Sequence, residues 1–191
     1  MEILNANKLT DLKWLNMFSV AYKDKNGLNK SWQVATRAAQ PKCVSGRFTE
    51  PDAVMIVPFH TLENKLVITR EYRVPLADYE VAFPAGLIDD GESLEQAVRR
   101  ELKEETGLNL TRVTGTTPLL YSSAGMTDES VAMVTIECSG RPSSAANTAS
   151  ESIKVDFVSP SQAARLCNNP TLKFDAKAWL VLNGYSRTGH L

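Results

Sequence analysis

The chain has 191 residues, 43% of them hydrophobic, and its 21 Lys and Arg against 22 Asp and Glu leave a formal net charge of −1. That length suits one domain of ordinary size, or one with a small extension, and the apolar share is enough for a proper core. Near-neutral charge removes the electrostatic case for a nucleic-acid or membrane-surface partner. Cys43, Cys138 and Cys167 are odd in number and widely separated, which argues against a disulfide framework or a zinc site and for a reducing, cytoplasmic compartment. Met1 to Ala6 carries no basic segment leading into an apolar one, and no run reaches the length of a membrane span.

In chain order, residues 1–50 read as an antiparallel β unit. Strands are expected around Lys13 to Lys23 and Ser31 to Ala38, joined at Asn26-Gly27, a strong hairpin signal. Residues 51–191 bring further strand candidates, "AVMIVPF", "KLVITREY", "YEVAF", "TPLLYS" and "SVAMVTIEC", with a helix inserted after the third. The segment from Ser139 to Ser152 lacks apolar periodicity and is expected to be a mobile loop. Two helices close the chain, one opened by Ser159-Pro160 and running toward Cys167, the other around Asp175 to Leu182. Strands interrupted and followed by helices imply an α/β layered sandwich.

The inserted helix carries the chemistry. Ser93 and Gln96 make a capping box, Leu94, Ala97, Val98 and Leu102 recur at helical spacing, and Gly107 supplies a left-handed stop, so a helix is expected from about Leu94 to Thr106. At roughly 100° per residue, Glu101 and Glu105 fall in the apolar sector. Burying ionised carboxylates costs several kcal/mol unless something neutralises them. Salt bridges to Arg99, Arg100 or Lys103 are one answer, but those side chains project mostly to the other side of the helix. A hard divalent cation held by clustered oxygens fits the positions better. Upstream, "FPAGLIDDGE" can fold as a tight loop whose carbonyls face the same point, and magnesium, which bridges carboxylates to phosphate oxygens, suits such a cradle. His60 and His190 stand outside every motif, which leaves a histidine-based nucleophilic mechanism little support.

Gly86, Glu92, Arg100, Glu101, Leu102, Glu104, Glu105, Gly107 and Leu108 match every fixed position of the Nudix box. The chain therefore resembles the Nudix hydrolases. The resemblance implies an α/β/α sandwich with a mixed sheet, and Mg²⁺-assisted attack of water on a phosphorus of a nucleoside diphosphate linked to another moiety. It makes Glu101 and Glu105 metal ligands together with the Ala85 carbonyl, and Glu104 a further ligand or the base for water. Arg100 would orient these carboxylates, and Glu92 would join the same network. Two or more Mg²⁺ ions are implied, with Mn²⁺ as an alternative.

The flanks "WLNMFSVAYKDKNGLNKSWQVATR" and "REYRVP" are similar to the ADP-sugar pyrophosphatase branch, whose archetype cleaves ADP-ribose to AMP and ribose 5-phosphate. In that branch an aromatic pair clasps the base across a homodimer. Here the pair would be Trp14 and Trp32, for which core packing is the competing assignment. The dimer is also expected because a hairpin with too few strands needs a partner surface. Arg37 and Arg73 would contact phosphates, with Arg70 as a further candidate, and Glu151 would correspond to a loop glutamate that activates water. Two positions depart from the branch: Ala82 stands where a glutamate is common, with Glu80 two residues away, and Ala124 replaces a loop proline. UDP-glucose, GDP-mannose and oxidised nucleotides stay open as substrates. A catalytically idle nucleotide-sugar sensor is the rival from another class, although such proteins usually lose box glutamates.

Overall fold

The computed structural model describes residues 1–143, 145 and 152–191. The chain divides into two compact units, Met1–Ala53 with Leu119–Ala132, and Val54–Pro118 with Met133–Leu191.

The first unit is built on an antiparallel sheet ordered β1 (Glu2–Lys8), β2 (Asn16–Lys23), β3 (Asn29–Thr36). β2 lies inside the span expected from the sequence and β3 overlaps its expected span but starts and ends two residues earlier; β1 was not anticipated. The turn between β2 and β3 uses Asn26-Gly27 in a longer loop than a two-residue hairpin. Gly27 N–H donates to the Asp24 carbonyl, Asp24 N–H to the Leu28 carbonyl, and Gly27 takes φ +77°. Register puts Phe18 opposite Val34 and Val20 opposite Trp32, so one sheet face carries the small core of Phe18, Val20 and Val34.

A short helix α1 (Lys42–Ser45) follows β3. Its Lys42 is buried, and Nζ donates to Asp52 Oδ2 at 2.5 Å and to Ser130 Oγ at 2.6 Å. The same Asp52 oxygen accepts the Ser130 amide and hydroxyl, while Asp128 accepts the Lys42 amide. A buried ammonium is tolerable only with such partners.

The second unit is a mixed sheet. Its strands are β4 (Ala53–His60), β5 (Lys65–Arg73), β6 (Asp78–Ala82), β7 (Ala85–Leu87), β8 (Asn109–Thr116), β10 (Ser130–Ser139), β11 (Ile153–Val158) and β12 (Lys173–Phe174). The remaining short strand, β9 (Leu120–Tyr121), pairs with the first residues of β10 in the first unit. Spatial order is β12-β6-β5-β4-β10-β8, with β11 on β5 and β7 on β4; β12 pairs parallel with β6, whereas β5 pairs antiparallel with β4, β6 and β11.

Helix α2 (Leu94–Thr106) begins and ends where its caps require. Both halves of the Ser93/Gln96 capping box form, and Gly107 closes the helix at φ +74°. Its Ala97, Val98 and Leu102 pack with Val54, Ile56, Val67, Val134 and Ile136. Leu66 and Ile68, which alternate with Val67 and so face the other way, are buried as well. On that side lie α3 (Pro160–Cys167) and α4 (Ala176–Thr188), packed on each other, with the Tyr185 hydroxyl bonded to the Leu66 backbone. Burial of both faces explains why β4 reads as a continuous apolar run.

Candidate active site

Helix α2 presents the box residues to the loop-to-strand junction at Ala85-Gly86, where β7 begins. Glu101 is buried, Glu105 half-buried and Glu104 exposed, in line with the helical phase. Gly86 lies so close to the Glu101 carboxylate that a Cβ there would fall 1.8 Å from Oε1. Any side chain at that position would occupy the place of the carboxylate. The Ala85 amide donates to Glu105 Oε2 at 3.4 Å, a long bond that ties the same junction to the helix end.

Arg100 is the hub. Its Nε donates to Glu92 Oε1 at 2.9 Å and Nη2 to Glu92 Oε2 at 2.8 Å, a two-pronged pairing, while Nη2 also reaches the Leu87 carbonyl at 2.9 Å. Nη1 donates to Glu101 Oε1 at 2.6 Å and to Glu104 Oε2 at 3.3 Å. Helical spacing put Arg100 on the far side; its long side chain folds back across the helix and does pair with Glu101 and Glu104. Arg99, by contrast, pairs outward with Glu95, and Lys103 caps the Gly107 carbonyl.

The electrostatics follow from these contacts. Arg100 holds Glu92 below the usual carboxylate range. Burial pushes Glu101 up despite the pull of Arg100. Glu105 is pushed up to about 8, first by burial and then by the negative charges of Glu71 and Glu101, with the Ala85 amide and Arg73 acting the other way.

Glu71 and Glu80 were not singled out as a pair by sequence reasoning. They are register partners on β5 and β6, and Arg73 bridges them, Nη1 to Glu71 Oε1 at 2.8 Å and Nε to Glu80 Oε2 at 3.3 Å. Period-two alternation in "REYR" and "YEVA" was the available signal, needing only the pairing of the two strands to be complete. Ala82, on the same face of β6, is buried opposite Thr69. Glu80 therefore stands nearest along the strand to where the branch's glutamate would be.

Among the described residues, no group of three His, Cys, Asp or Glu is drawn together tightly enough to form a ready cation cage. The reason is visible in the contacts: Glu101 is turned to Arg100 and Glu105 to the Ala85 amide. The donor set nevertheless fits a hard divalent cation. It consists of oxygens only, with mutually repelling carboxylates on Glu71, Glu101 and Glu105, and Gly86 leaves open the space Glu101 needs.

Of the other expected site residues, Arg70 and Arg73 belong to the second unit and Trp14, Trp32 and Arg37 to the first. Each of the three arginines is ion-paired: Arg70 with Asp156 at 2.6 Å, Arg37 with Glu129 at 2.9 Å, and Arg73 as above. Trp14 is 71% and Trp32 51% exposed, so neither is a core residue of this chain; the Trp32 indole N–H donates to the Gly125 carbonyl at 3.2 Å. Glu151 lies outside the described residues, as does half of the segment expected to be a mobile loop.

Residues 49–180 match the NUDIX domain model. The chain belongs to the NUDIX family. It is 29% identical over 138 residues to an ADP-ribose pyrophosphatase of Saccharomyces cerevisiae, covering 72% of this chain and 58% of that protein. It is 31% identical over 141 residues to an ADP-sugar pyrophosphatase of Mus musculus, covering 72% and 62%. The matched stretch thus spans about three fifths of the length of these curated relatives. A crystal structure of an ADP compounds hydrolase superposes with a TM-score of 0.73 at 25% identity, covering 96% of this chain and 92% of that one. Together with the complete box, these likenesses put the chain on the ADP-sugar pyrophosphatase branch of the family. No helix of the described residues is long and apolar enough to cross a membrane.

Proposed function

We propose that this protein hydrolyses the diphosphate bond of a nucleoside diphosphate sugar, with ADP-ribose, cleaved to AMP and ribose 5-phosphate, as the leading substrate. One observation carries the reading: every box glutamate is present, and Arg100 gathers Glu92, Glu101 and Glu104 into one network beside the Ala85-Gly86 junction. Glu101, Glu104, Glu105 and the Ala85 carbonyl would hold Mg²⁺ or Mn²⁺, two or more ions. Bound there, the metal supplies Lewis-acid polarisation of the diphosphate and an acidified water. Glu104, the exposed carboxylate, is the candidate to accept the proton of the attacking water; Glu151 is the alternative. Arg37, Arg70 and Arg73 would bind phosphate by exchanging their present carboxylate partners. Trp14 and Trp32 would stack on the base, and their exposure supports that role over core packing.

The same reading divides the chain functionally into residues 1–50, for base binding and dimerisation, and 51–191, the hydrolase domain. It makes the protein a cytoplasmic homodimer; its three free thiols suit a reducing compartment. Sedimentation at micromolar concentration tests the dimer, and an active monomer would overturn it. The function is tested by a panel with Mg²⁺ comprising ADP-ribose, UDP-glucose, GDP-mannose, diadenosine polyphosphates and nucleoside triphosphates. Preference for ADP-ribose is expected, with product analysis in ¹⁸O water identifying the attacked phosphorus. Turnover confined to nucleoside triphosphates, or surviving exhaustive chelation, would refute the proposal.

A further inference from the structure

Arg73 differs from the other arginine near the box glutamates. Arg100 is anchored by the Glu92 fork and the Leu87 carbonyl, so it has a fixed seat whatever happens at Glu101. Among the described residues, Arg73 is held through the carboxylates of Glu71 and Glu80, both mostly shielded from water at 17% and 19% side-chain exposure. These two glutamates face each other across β5 and β6, and β6 runs directly into the Ala85 junction whose amide binds Glu105. Glu71 and Arg73, moreover, act on Glu105 in opposite senses, one repelling its charge and the other attracting it.

We propose that Arg73 is the resident counter-cation of this carboxylate group and competes with a divalent cation for it. In the metal-free protein its guanidinium balances the charge of Glu71 and Glu80 beside Glu105. A divalent cation bound by the box glutamates supplies that balance instead, which loosens the hold of the carboxylates on Arg73 and releases the guanidinium for an anionic group of the substrate. Metal loading and phosphate binding would then be coupled through one side chain. This inference rests on the metal-dependent reading given above, and it goes beyond a phosphate-contact role for Arg73 because it requires the arginine to oppose metal binding when no substrate is present.

The test is Mn²⁺ binding to the nucleotide-free protein, followed by titration calorimetry or by the electron paramagnetic resonance of free Mn²⁺. Arg73→Gln should bind Mn²⁺ roughly fivefold more tightly than wild type, because a unit positive charge has left the surroundings of the cation. Arg73→Lys, which keeps the charge, should stay close to wild type. Arg112→Gln removes an equal charge from the outward-facing pair with Glu137 and should leave Mn²⁺ affinity unchanged. Circular dichroism melts on the same preparations establish that each variant is folded. Unchanged or weaker Mn²⁺ binding by folded Arg73→Gln overturns the proposal, as does equal tightening by Arg112→Gln. If wild type binds no Mn²⁺ at millimolar concentration, the metal-dependent reading itself fails; if it binds and only the variant effect is missing, this inference alone fails.

Discussion

Arg100 grips Glu92 with two parallel hydrogen bonds of 2.9 and 2.8 Å while its third nitrogen holds Glu101 at 2.6 Å. One planar fork thus sets the position of a carboxylate on the loop and another on the helix. Lysine carries the charge but cannot reproduce the fork. Arg100→Lys is expected to lose about 2 kcal/mol of stability, the scale of a hydrogen bond between charged groups, and to lose most of kcat because Glu101 is no longer held. Thermal melts and initial rates on one preparation check both; an unchanged kcat would remove Arg100 from the site.

Gly86 makes a sharper separation of fold from function. A methyl at this position collides with the end of the Glu101 side chain rather than with backbone, so the fold can accommodate it by moving the carboxylate. Gly86→Ala should melt within a few degrees of wild type yet lose about 100-fold in kcat, the scale of a small misplacement of a reacting group. Near-native turnover would mean that Glu101 has no fixed duty.

Glu105 makes the metal-free protein sensitive to pH. Its folded pKa is raised from 4.5 to about 8, chiefly by burial, so between those values the folded state binds the extra proton. The stability it contributes is fully present below about pH 4.5 and is lost as pH rises through about 8. In EDTA, this group should therefore make the melting temperature fall from pH 5 to 8.5, and Glu105→Gln, which cannot ionise, should flatten the slope. Glu105→Gln should also abolish hydrolysis at saturating Mg²⁺ while remaining folded. Wild-type and variant melting curves of identical pH dependence would contradict the assignment.

The exposure of Trp32 turns its replacement into a clean measurement. Trp32→Ala should leave the melting temperature nearly unchanged and raise KM roughly tenfold, since a stacked base is worth on the order of 1–3 kcal/mol and is bound alike in ground and transition states. A native KM would send the search for the base site elsewhere.

The box helix was legible to the residue because three local signals coincide there: a capping box, an apolar period and a terminal glycine. Strands β4, β5, β6 and β10 were legible from apolar runs, since packing on both faces writes burial into consecutive residues. "NLTRVTGT", which forms β8, was missed because it is largely exposed and shows no alternation. "EILNANK", which forms β1, is an edge strand exposed at all but one residue and carries as little pattern. Of "TPLLYS" only Leu120 and Tyr121 pair, and β7 was read as loop because three residues leave no period to detect. The final helix runs to Thr188, six residues past the expected Leu182, where Gly189 rather than the internal Gly184 ends it. Within the site, the helix positions of Glu101, Glu104 and Glu105 could be read. The Arg73 bridge could not, because it depends on the register of two strands rather than on spacing along one.

The Asp52 oxygen that receives Lys42 and Ser130 has a practical consequence for chain length. Cys43 to Glu50 are exposed, and the chain on either side of them is fastened at Lys42 and Asp52 by a part-buried side-chain bond. Once its ends are pinned, the length of such a loop matters little: doubling it costs only about 0.6 kcal/mol in closure entropy. An affinity tag or a short protease-cleavable peptide spliced between Arg47 and Glu50 should leave the protein's fold undisturbed, offering an internal handle that spares both termini.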